Sequence, residues 1–379
     1  MLQAKAATMT VELETGILSL TAHGDHDIAA LCDVAARANP KRGFLIVSRI
    51  LGRHLPALPA AMRGAMEDLA AMIPADLPEP VVVLGMAETA TALGQGVFAG
   101  YRRRHPATLA YYLQTSRQTV PDALRIASFE EGHSHATTHL VQIGDRAMAA
   151  HVRQARSLII VDDECSTGGT FIAGAEAMLA AMPGLERIET CCITDWSNGS
   201  YKQRMPVETG GHALLHGDMT WEPGTASTAS RLAASSNTPG TAPATGMKSR
   251  TGLKDPEQAI RPAFEPGQGE RILVLGEGEH SYEALLFAEE MDAAGAIAAV
   301  QCITRSPALP GHAMQSVSHF SDSYGSGAPC YLYNLLAHDP DRVVIMSEVG
   351  GSQVADAKAA LAALGSDIPV TQMICSYGS

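Results

Sequence analysis

The stretch that decides the fold of this chain is Leu158-Ile159-Ile160-Val161-Asp162-Asp163-Glu164-Cys165-Ser166-Thr167-Gly168-Gly169-Thr170. Its apolar start predicts a buried strand, because β-branched side chains favour the extended backbone. Two adjacent carboxylates follow, and a loop rich in hydroxyl groups and glycine then leads into a predicted helix at residues 171–181. Such a loop turns several backbone N–H groups toward one point, and the helix N-terminus adds partial positive charge. The stretch therefore predicts a phosphate-binding loop between a strand and a helix.

The acidic pair Asp162 and Asp163 indicates which group of the ligand lies beside the phosphate. Carboxylates would repel a phosphate placed directly on them, and they are suited to accept hydrogen bonds from two vicinal hydroxyl groups. A ligand with a ribose diol at one end and a 5′-phosphate at the other satisfies both parts of the stretch. The alternative is a strand–loop–helix corner with solvated acids and a glycine turn. A Walker-type loop is excluded, because no Gly-Lys-Ser/Thr follows the glycines.

The strand, the acidic pair and the Thr-Gly-Gly-Thr loop resemble the phosphoribosyl-pyrophosphate (PRPP) signature of type I phosphoribosyltransferases. The resemblance implies that PRPP donates a phosphoribosyl group to a nitrogenous acceptor and releases pyrophosphate, with Mg²⁺ as cofactor. It implies that the diol is bound by Asp162 and Asp163. The phosphate is then bound by Ser166, Thr167, Gly168, Gly169 and Thr170. We expect Mg²⁺ to be held mainly by substrate oxygens and water.

Composition narrows the class of protein. The chain has 379 residues, which suggests two domains or more, and 46% of them are hydrophobic, enough to bury a core. The formal net charge of −13 argues against nucleic acid or an anionic membrane as the main partner. No apolar run is long enough to span a membrane, and the start of the chain lacks a secretory signal. The seven cysteines are scattered, which fits reduced thiols and a cytoplasmic protein.

Predicted strands alternate with predicted helices. Strands are expected at residues 44–48, 80–84, 109–114, 157–161 and 188–194, and helices at 27–38, 57–72 and 91–104. This alternation predicts a parallel sheet with ligands at the carboxyl ends of its strands. We expect an α/β protein in which residues 1–222 form a type I phosphoribosyltransferase domain with a mobile hood. A flexible linker, poor in large apolar residues, is predicted at 223–268, and a second, smaller α/β domain at 269–379.

A pyrophosphate cradle is expected at a second strand end, formed by Gly85, Met86, Ala87, Glu88 and Thr89. In enzymes of the resembling family this loop often carries a strained or cis peptide. The alternative is a simple helix cap that uses Glu88 or Thr89. The cradle needs cations, and Arg117 is the first candidate and Arg49 the second. A run of arginines after a predicted helix serves either a neighbouring subunit of a homodimer or a solvated helix end: Arg102, Arg103 and Arg104.

The predicted hood, residues 117–140, lacks apolar periodicity and carries several histidines and acids. We predict catalytic roles for His133, His135 and Glu131, with Arg117, as groups that close over PRPP or act as acid or base. The spacing of His133, His135 and His139 also allows a transition-metal site, and a plain surface loop is the third possibility.

The second domain carries its own polar loops. Thr304-Arg305-Ser306-Pro307 follows a predicted strand and resembles the TRSP domain, which is fused to a phosphoribosyltransferase in bacterial tellurite-resistance and stress gene clusters. The resemblance implies a role in making a nucleoside-like metabolite. We expect a separate second-domain site built from Gly276, Gly278, Thr304, Arg305, Ser306, Asp322 and Tyr324. The alternative is a proline-terminated turn in which Arg305 is a structural hydrogen-bond hub.

Two other function classes stay open at this point. A PRPP-sensing regulator would keep the ribose-phosphate site without catalysis. A pure binding module would use the hood to contact a partner protein. Release of pyrophosphate from PRPP separates both from an enzyme, and the acceptor base cannot be deduced because its contacts lie in loops.

Overall fold

The computed structural model describes residues 7–24, 27–39, 42–130, 138–224, 239–256 and 258–377. The N-terminal region (residues 7–224) consists of β1 (Thr8–Leu13), β2 (Gly16–Ala22), α1 (Ile28–Leu31), β3 (Cys32–Ala36), β4 (Phe44–Ser48), α2 (Pro59–Met72), β5 (Val81–Gly85), α3 (Thr91–Arg104), β6 (Ala110–Ser116), β7 (Gln118–Thr119), β8 (Leu124–Glu130), β9 (Thr138–Ile143), α4 (Arg146–Arg153), β10 (Ser157–Val161), β11 (Glu164–Cys165), α5 (Gly169–Ala181), β12 (Arg187–Asp195) and β13 (Glu208–Pro223).

A large sheet organises this region. In the described residues its strand order is β1-β2-β13-β12-β10-β5-β6-β9-β8, with β11 paired to β12. The central strands β13, β12, β10, β5 and β6 are parallel, and antiparallel pairs close both edges. The strands β5 and β10 are buried along their whole length, since helices cover the sheet. The expected α/β fold with a parallel sheet is therefore confirmed.

The C-terminal region contains β14 (Gly240–Thr241), β15 (Arg271–Glu277), α6 (Tyr282–Ala293), β16 (Ile297–Ile303), β17 (Val317–Phe320), β18 (Cys330–Tyr333), β19 (Arg342–Ser347), α7 (Gln353–Ala363) and β20 (Val370–Ile374). Its main sheet is parallel, with strand order β16-β15-β19-β20. This is the smaller α/β unit expected from the sequence. One hydrophobic core extends through both regions, because α2 and α3 pack against α6.

Two sequence-based element assignments are wrong. The predicted helix at 27–38 ends at Leu31, and β3 follows it and pairs antiparallel with β4 in a ribbon of its own. The predicted irregular hood contains β7, β8 and β9 in its described part, and β8 and β9 form a hairpin at the edge of the large sheet. At residues 32–36, backbone pairing with β4 outweighs the local helical pattern.

The predicted linker is also not a free tether where the structure describes it. In the connecting segment, residues 239–256, β14 pairs with β7 and Leu253 pairs with Tyr112. The side chain of Arg250 is 1% exposed and lies between acidic side chains of the C-terminal region. The segment is held by backbone hydrogen bonds, by the buried Arg250 and by Met247 and Leu253, which join the main core. Composition missed this because so few apolar residues are involved. The domain limits at 222 and 269 stay predictions.

None of the helices in the described part of the chain has the length and apolar composition needed to cross a bilayer.

Candidate active site

The signature stretch forms a strand, a tight loop and a helix, as its pattern predicts. The strand β10 lies between β5 and β12, and α5 begins directly after Gly168. Gly168 has φ of +74°, and a Cβ on it would lie 2.2 Å from Cβ of Tyr201. Only glycine fits there without strain, since other residues pay for the left-handed conformation. The left-handed glycine thus forms the turn that leads directly from the loop into α5.

The acidic pair lies at the mouth of this loop. Burial and the nearby Glu164 carboxylate raise the pKa of Asp163 to about 6. The backbone N–H of Asp163 donates to Oδ1 of Asp162 at 3.0 Å. Glu164 itself is engaged, because Nη2 of Arg42 lies 2.7 Å from both of its oxygens. Two adjacent carboxylates, one with a raised pKa, therefore lie beside the loop.

The predicted cradle loop lies next to the signature, because β5 and β10 are neighbouring parallel strands with Gly85 opposite Val161. The peptide bond between Ala87 and Glu88 is cis. The N–H of Ala87 donates to Oγ1 of Thr115 at 2.7 Å, and Nη2 of Arg117 donates to its carbonyl at 3.2 Å. Thr115 in turn contacts Nδ1 of His139 at 2.8 Å. Both polar groups of Ala87 are thus fixed by side chains from β6 and from the start of the hood.

Glu88 joins the two regions of the chain. Its carboxylate pairs with Arg53 of the N-terminal region and with Arg305 of the C-terminal region, where Nε lies 3.0 Å from Oε2. Burial alone would raise the pKa of Glu88, but the guanidinium groups of Arg53 and Arg305 lower it to about 2. Glu88 is therefore ionised at neutral pH and holds an arginine from each region.

A cavity of about 270 Å³ opens between the signature, the cradle and the C-terminal region. Its lining is mostly polar and comes from both regions: Arg37, Arg42, Leu45, Ile46, His54, Met86, Ala87, Glu88, Thr89, Arg117, Glu130, His139, residues 162–171 of the signature, Thr304, Arg305, Ser306 and Pro307. Cations and hydroxyl groups thus face an acidic pair across one space. The arrangement can hold an elongated ligand that carries phosphate groups at two positions.

Most of the predicted PRPP-binding residues meet in this cavity: Asp162, Asp163, Ser166, Thr167, Gly168, Gly169, Thr170, Met86, Ala87, Glu88 and Thr89, together with Arg117. Gly85 lies behind it, in β5, where the hydroxyl of Tyr112 leaves no room for a side chain. The choice of Arg49 is not supported, since it is half-exposed and pairs with Asp33. Glu131, His133 and His135 lie outside the described residues, so their predicted roles stay predictions.

The structure does not bring the seven residues of the predicted second-domain site together in one cavity. Thr304, Arg305 and Ser306 line the same cavity as the signature. The others are occupied elsewhere: Asp322 accepts hydrogen bonds within its own turn, Tyr324 donates to Glu348, the carbonyl of Gly278 accepts from Arg53, and Gly276 packs on the backbone of His280. Sequence spacing could not show this, because it carries no information on which domain edge faces which.

The sequence analysis did not predict several of the residues that line the cavity. Arg37, Arg42 and His54 come from the β3–β4 ribbon and the chain after it. Burial and the neighbouring Arg53 lower the pKa of His54 to about 3, so this imidazole is neutral. The one signal in the sequence for any of them was that Arg42 lies just before the predicted strand at 44–48, separated from it by Gly43. The run Arg102–Arg104 forms contacts within the chain, with Glu67, Asp255 and the carbonyl of Thr108.

In the described residues, no group of three His, Cys, Asp or Glu side chains is arranged to hold a metal ion. His139 is buried, contacts Thr115 and stacks on Phe129 with 4.6 Å between ring centroids. The metal hypothesis for the hood histidines is untested at His133 and His135, which are not described.

Comparison with known proteins agrees with this geometry. Residues 31–217 match the family model described as phosphoribosyl transferase, and residues 240–364 match the model of the TRSP domain, which lies C-terminal to it. None of the curated proteins matches the chain in sequence. The region that carries the signature and the region that carries Thr304–Pro307 are thus both matched, in the order that the two models prescribe.

Solved structures of adenine phosphoribosyltransferases are similar to part of the chain. The enzyme from Rhodothermus marinus is 19% identical, with 50% of this chain and 94% of that chain covered and a TM-score of 0.32. The enzyme from Giardia lamblia, complexed with 9-deazaadenine, is 19% identical over 49% and 96%, with a TM-score of 0.32. The enzyme from Trypanosoma brucei, in complex with AMP, pyrophosphate and ribose-5-phosphate, is 14% identical over 49% and 77%, also with a TM-score of 0.32.

Proposed function

Because this chain belongs to the phosphoribosyl transferases that carry a C-terminal TRSP domain, we propose that it transfers the phosphoribosyl group of PRPP to a nitrogenous acceptor in a Mg²⁺-dependent reaction. One observation carries the proposal. The signature loop and the cradle loop end neighbouring parallel strands and face one cavity. This adjacency supports the proposal that the signature loop binds the ribose phosphate of PRPP and that the loop at Gly85–Thr89 binds its pyrophosphate.

The chemistry follows from that placement. The bond between C1 of the ribose and the pyrophosphate oxygen breaks, and its electron pair leaves with pyrophosphate. The acceptor nitrogen supplies the electron pair of the new bond to C1, and its proton passes to water or to the departing pyrophosphate. Positive charge then develops on the ribose next to Asp162 and Asp163, and negative charge develops next to Arg117. Fixed charges of this kind stabilise a transition state because they need no reorganisation.

Mg²⁺ would neutralise the leaving pyrophosphate. The two adjacent carboxylates, Asp162 and Asp163, are hard oxygen donors on the cavity wall and fit a cation that keeps most of its ligands from substrate and water. The chain's own task is to orient the donor and to exclude water from C1. The hairpin of β8 and β9 extends over the signature helix and contributes Glu130 and His139 to the wall. It is the element best placed to cover the substrate.

The acceptor is proposed to be a base-like molecule and the product a nucleoside-like metabolite made in the cytoplasm. All seven cysteines, each within the described residues, are buried and free, which suits a reducing compartment.

The test is an acceptor screen with the full chain, PRPP and MgCl₂, read as pyrophosphate release and as ribosylated product by mass. A variant with Asp162→Asn and Asp163→Asn is the control for contaminating enzymes. We expect acceptor-dependent release that this variant lacks. PRPP binding by calorimetry without release, over a broad panel of bases, would favour the regulatory alternative.

A further inference from the structure

Arg305 belongs to the C-terminal region, yet it lies on the wall of the cavity that holds the signature loop. Its segment is rigid. Thr304 exchanges backbone hydrogen bonds with Tyr331, and the N–H of Ser306 donates to Oγ1 of Thr304 at 3.1 Å. The hydroxyl of Tyr333 donates to the carbonyl of Ser306 at 2.9 Å. The backbone that carries Arg305 is therefore fixed before any ligand arrives.

The guanidinium group is attached to the cradle itself. Its Nε donates to Oε2 of Glu88 at 3.0 Å, and the backbone N–H of Arg305 lies 3.3 Å from Oε1. Glu88 belongs to the loop proposed to receive pyrophosphate and directly precedes Thr89. Arg305 is thus attached to the loop that is proposed to bind pyrophosphate.

The arginine retains donor capacity. Its side chain is 9% exposed, and Nη2 has no hydrogen-bond partner among the residues that the structure describes. A buried donor without a partner is costly, and such groups in native proteins call for an explanation. The charges point the same way, because the Glu88 carboxylate is shared by the two guanidinium groups of Arg53 and Arg305. A phosphate group of a ligand would give Nη2 of Arg305 a partner.

We infer that Arg305 of the TRSP domain is a pyrophosphate-binding residue of the phosphoribosyltransferase site, so that the catalytic site is assembled from both domains. The inference rests on the proposed function and adds to it a role for the second domain. Arginine suits the position because its planar fork bonds two oxygens at once, one set on Glu88 and one on a phosphate group. The Glu88 carboxylate then acts as a positioning group that aims the arginine.

The test compares three variants of the full chain: Arg305→Ala, Arg305→Lys and Arg53→Ala. Arg53 is the matched control, because it also pairs with Glu88 and is 2% exposed but does not line the cavity. Calorimetry with MgCl₂ measures the affinities for PRPP, inorganic pyrophosphate and ribose 5-phosphate. Ribose 5-phosphate occupies only the signature loop and reports on damage to the fold of the site.

We expect Arg305→Ala to weaken PRPP and pyrophosphate roughly tenfold or more while ribose 5-phosphate binding is kept, since a charge-assisted hydrogen bond is lost at one end only. The affinities of Arg305→Lys for PRPP and pyrophosphate should lie between those of the unaltered chain and Arg305→Ala, because lysine keeps the charge and lacks the two-pronged guanidinium group. Arg53→Ala should change the affinities for pyrophosphate and ribose 5-phosphate by the same factor.

Three outcomes overturn the inference: unchanged pyrophosphate affinity in Arg305→Ala, equal weakening of ribose 5-phosphate, or the same selective loss in Arg53→Ala. If Arg305→Ala does not fold, Arg305→Lys decides, and equal losses of pyrophosphate and ribose 5-phosphate count against the inference. Absence of PRPP binding by the unaltered chain would instead defeat the proposed function, and the inference with it. Selective loss in a chain that releases no pyrophosphate would support the binding role and leave the proposed transfer reaction without support.

Discussion

At the scale of single residues, Asp163 is the titrating group of the signature. Burial and Glu164 raise its pKa to about 6, while Arg42 opposes the shift. A carboxyl group with this pKa is half protonated near the lower end of the physiological range. Because only the ionised form is a strong acceptor for hydroxyl groups, ligand binding should depend on its state.

We therefore predict that PRPP affinity falls as the pH is lowered through about 6, where Asp163 takes up a proton. Calorimetry between pH 5 and 8 with MgCl₂ measures this. The phosphates of PRPP also titrate near pH 6, so Asp163→Asn serves as the control that isolates the ligand's own contribution. The difference between the two proteins should shrink toward low pH, and parallel curves would contradict the assignment.

Replacing both residues of the acidic pair should weaken PRPP binding more than replacing Asp163 alone. Replacing Asp162 and Asp163 by asparagine removes two charge-assisted hydrogen bonds to the diol, which should cost roughly 3 kcal/mol or more of PRPP binding free energy. The fold should survive, because both side chains lie at the cavity and not in the core. Circular dichroism checks the fold, and unchanged PRPP affinity in calorimetry would remove the pair from the site.

At the scale of elements, the signature loop depends on one glycine. Gly168→Ala places a Cβ against Tyr201 at a residue with φ of +74°, so we predict a loss of roughly 2 kcal/mol or more in the free energy of unfolding. Gly169→Ala is the matched control, since its Cβ would meet Oγ1 of Thr167 at 3.5 Å, an ordinary contact. Chemical denaturation measures the free energy of unfolding of both variants. Equal values for the two would show that the loop tolerates a side chain at Gly168.

The hairpin of β8 and β9 is the element expected to respond to ligand. No residue of β8 is fully buried, and Glu130 at its end lines the cavity, so this edge strand is expected to be weakly protected without ligand. We predict slower hydrogen exchange in β8 and β9 when PRPP and Mg²⁺ are bound, with no change in the buried strand β10. Equal exchange with and without PRPP would mean that the hairpin is a fixed wall.

At the scale of the whole molecule, the two regions are joined by a buried polar cluster. Arg250 lies between Glu279 and Glu348, with Nε 2.8 Å from Oε2 of Glu279. Glu279 also accepts from the hydroxyl of Ser116 and the N–H of Arg117, next to the cavity. The connecting segment thus fastens the C-terminal sheet to the strand that leads into the hood.

Removal of Arg250 should strongly destabilise the folded protein. We predict that Arg250→Ala lowers the free energy of unfolding by roughly 3–5 kcal/mol, because two buried carboxylates lose the guanidinium group that pairs with both of them. Arg156→Ala is the control, since its pair with Glu186 is about half exposed and should contribute little. Denaturation followed by circular dichroism measures both. Similar small effects would show that the regions are held by apolar packing alone.

The sequence by itself determined the strand–loop–helix of the signature, the strand that ends at Gly85 and the parallel α/β class. These follow from local rules: apolar runs form strands, glycine permits a left-handed turn, and strand ends collect ligands. The tertiary structure alone decided that Arg305 faces the signature, that residues 239–256 pack, and that residues 32–36 are a strand. The physical reason is that each depends on a partner outside its own local pattern: Glu88 for Arg305, Glu279 for the connecting segment and β4 for residues 32–36. Neither composition nor periodicity records which groups will meet.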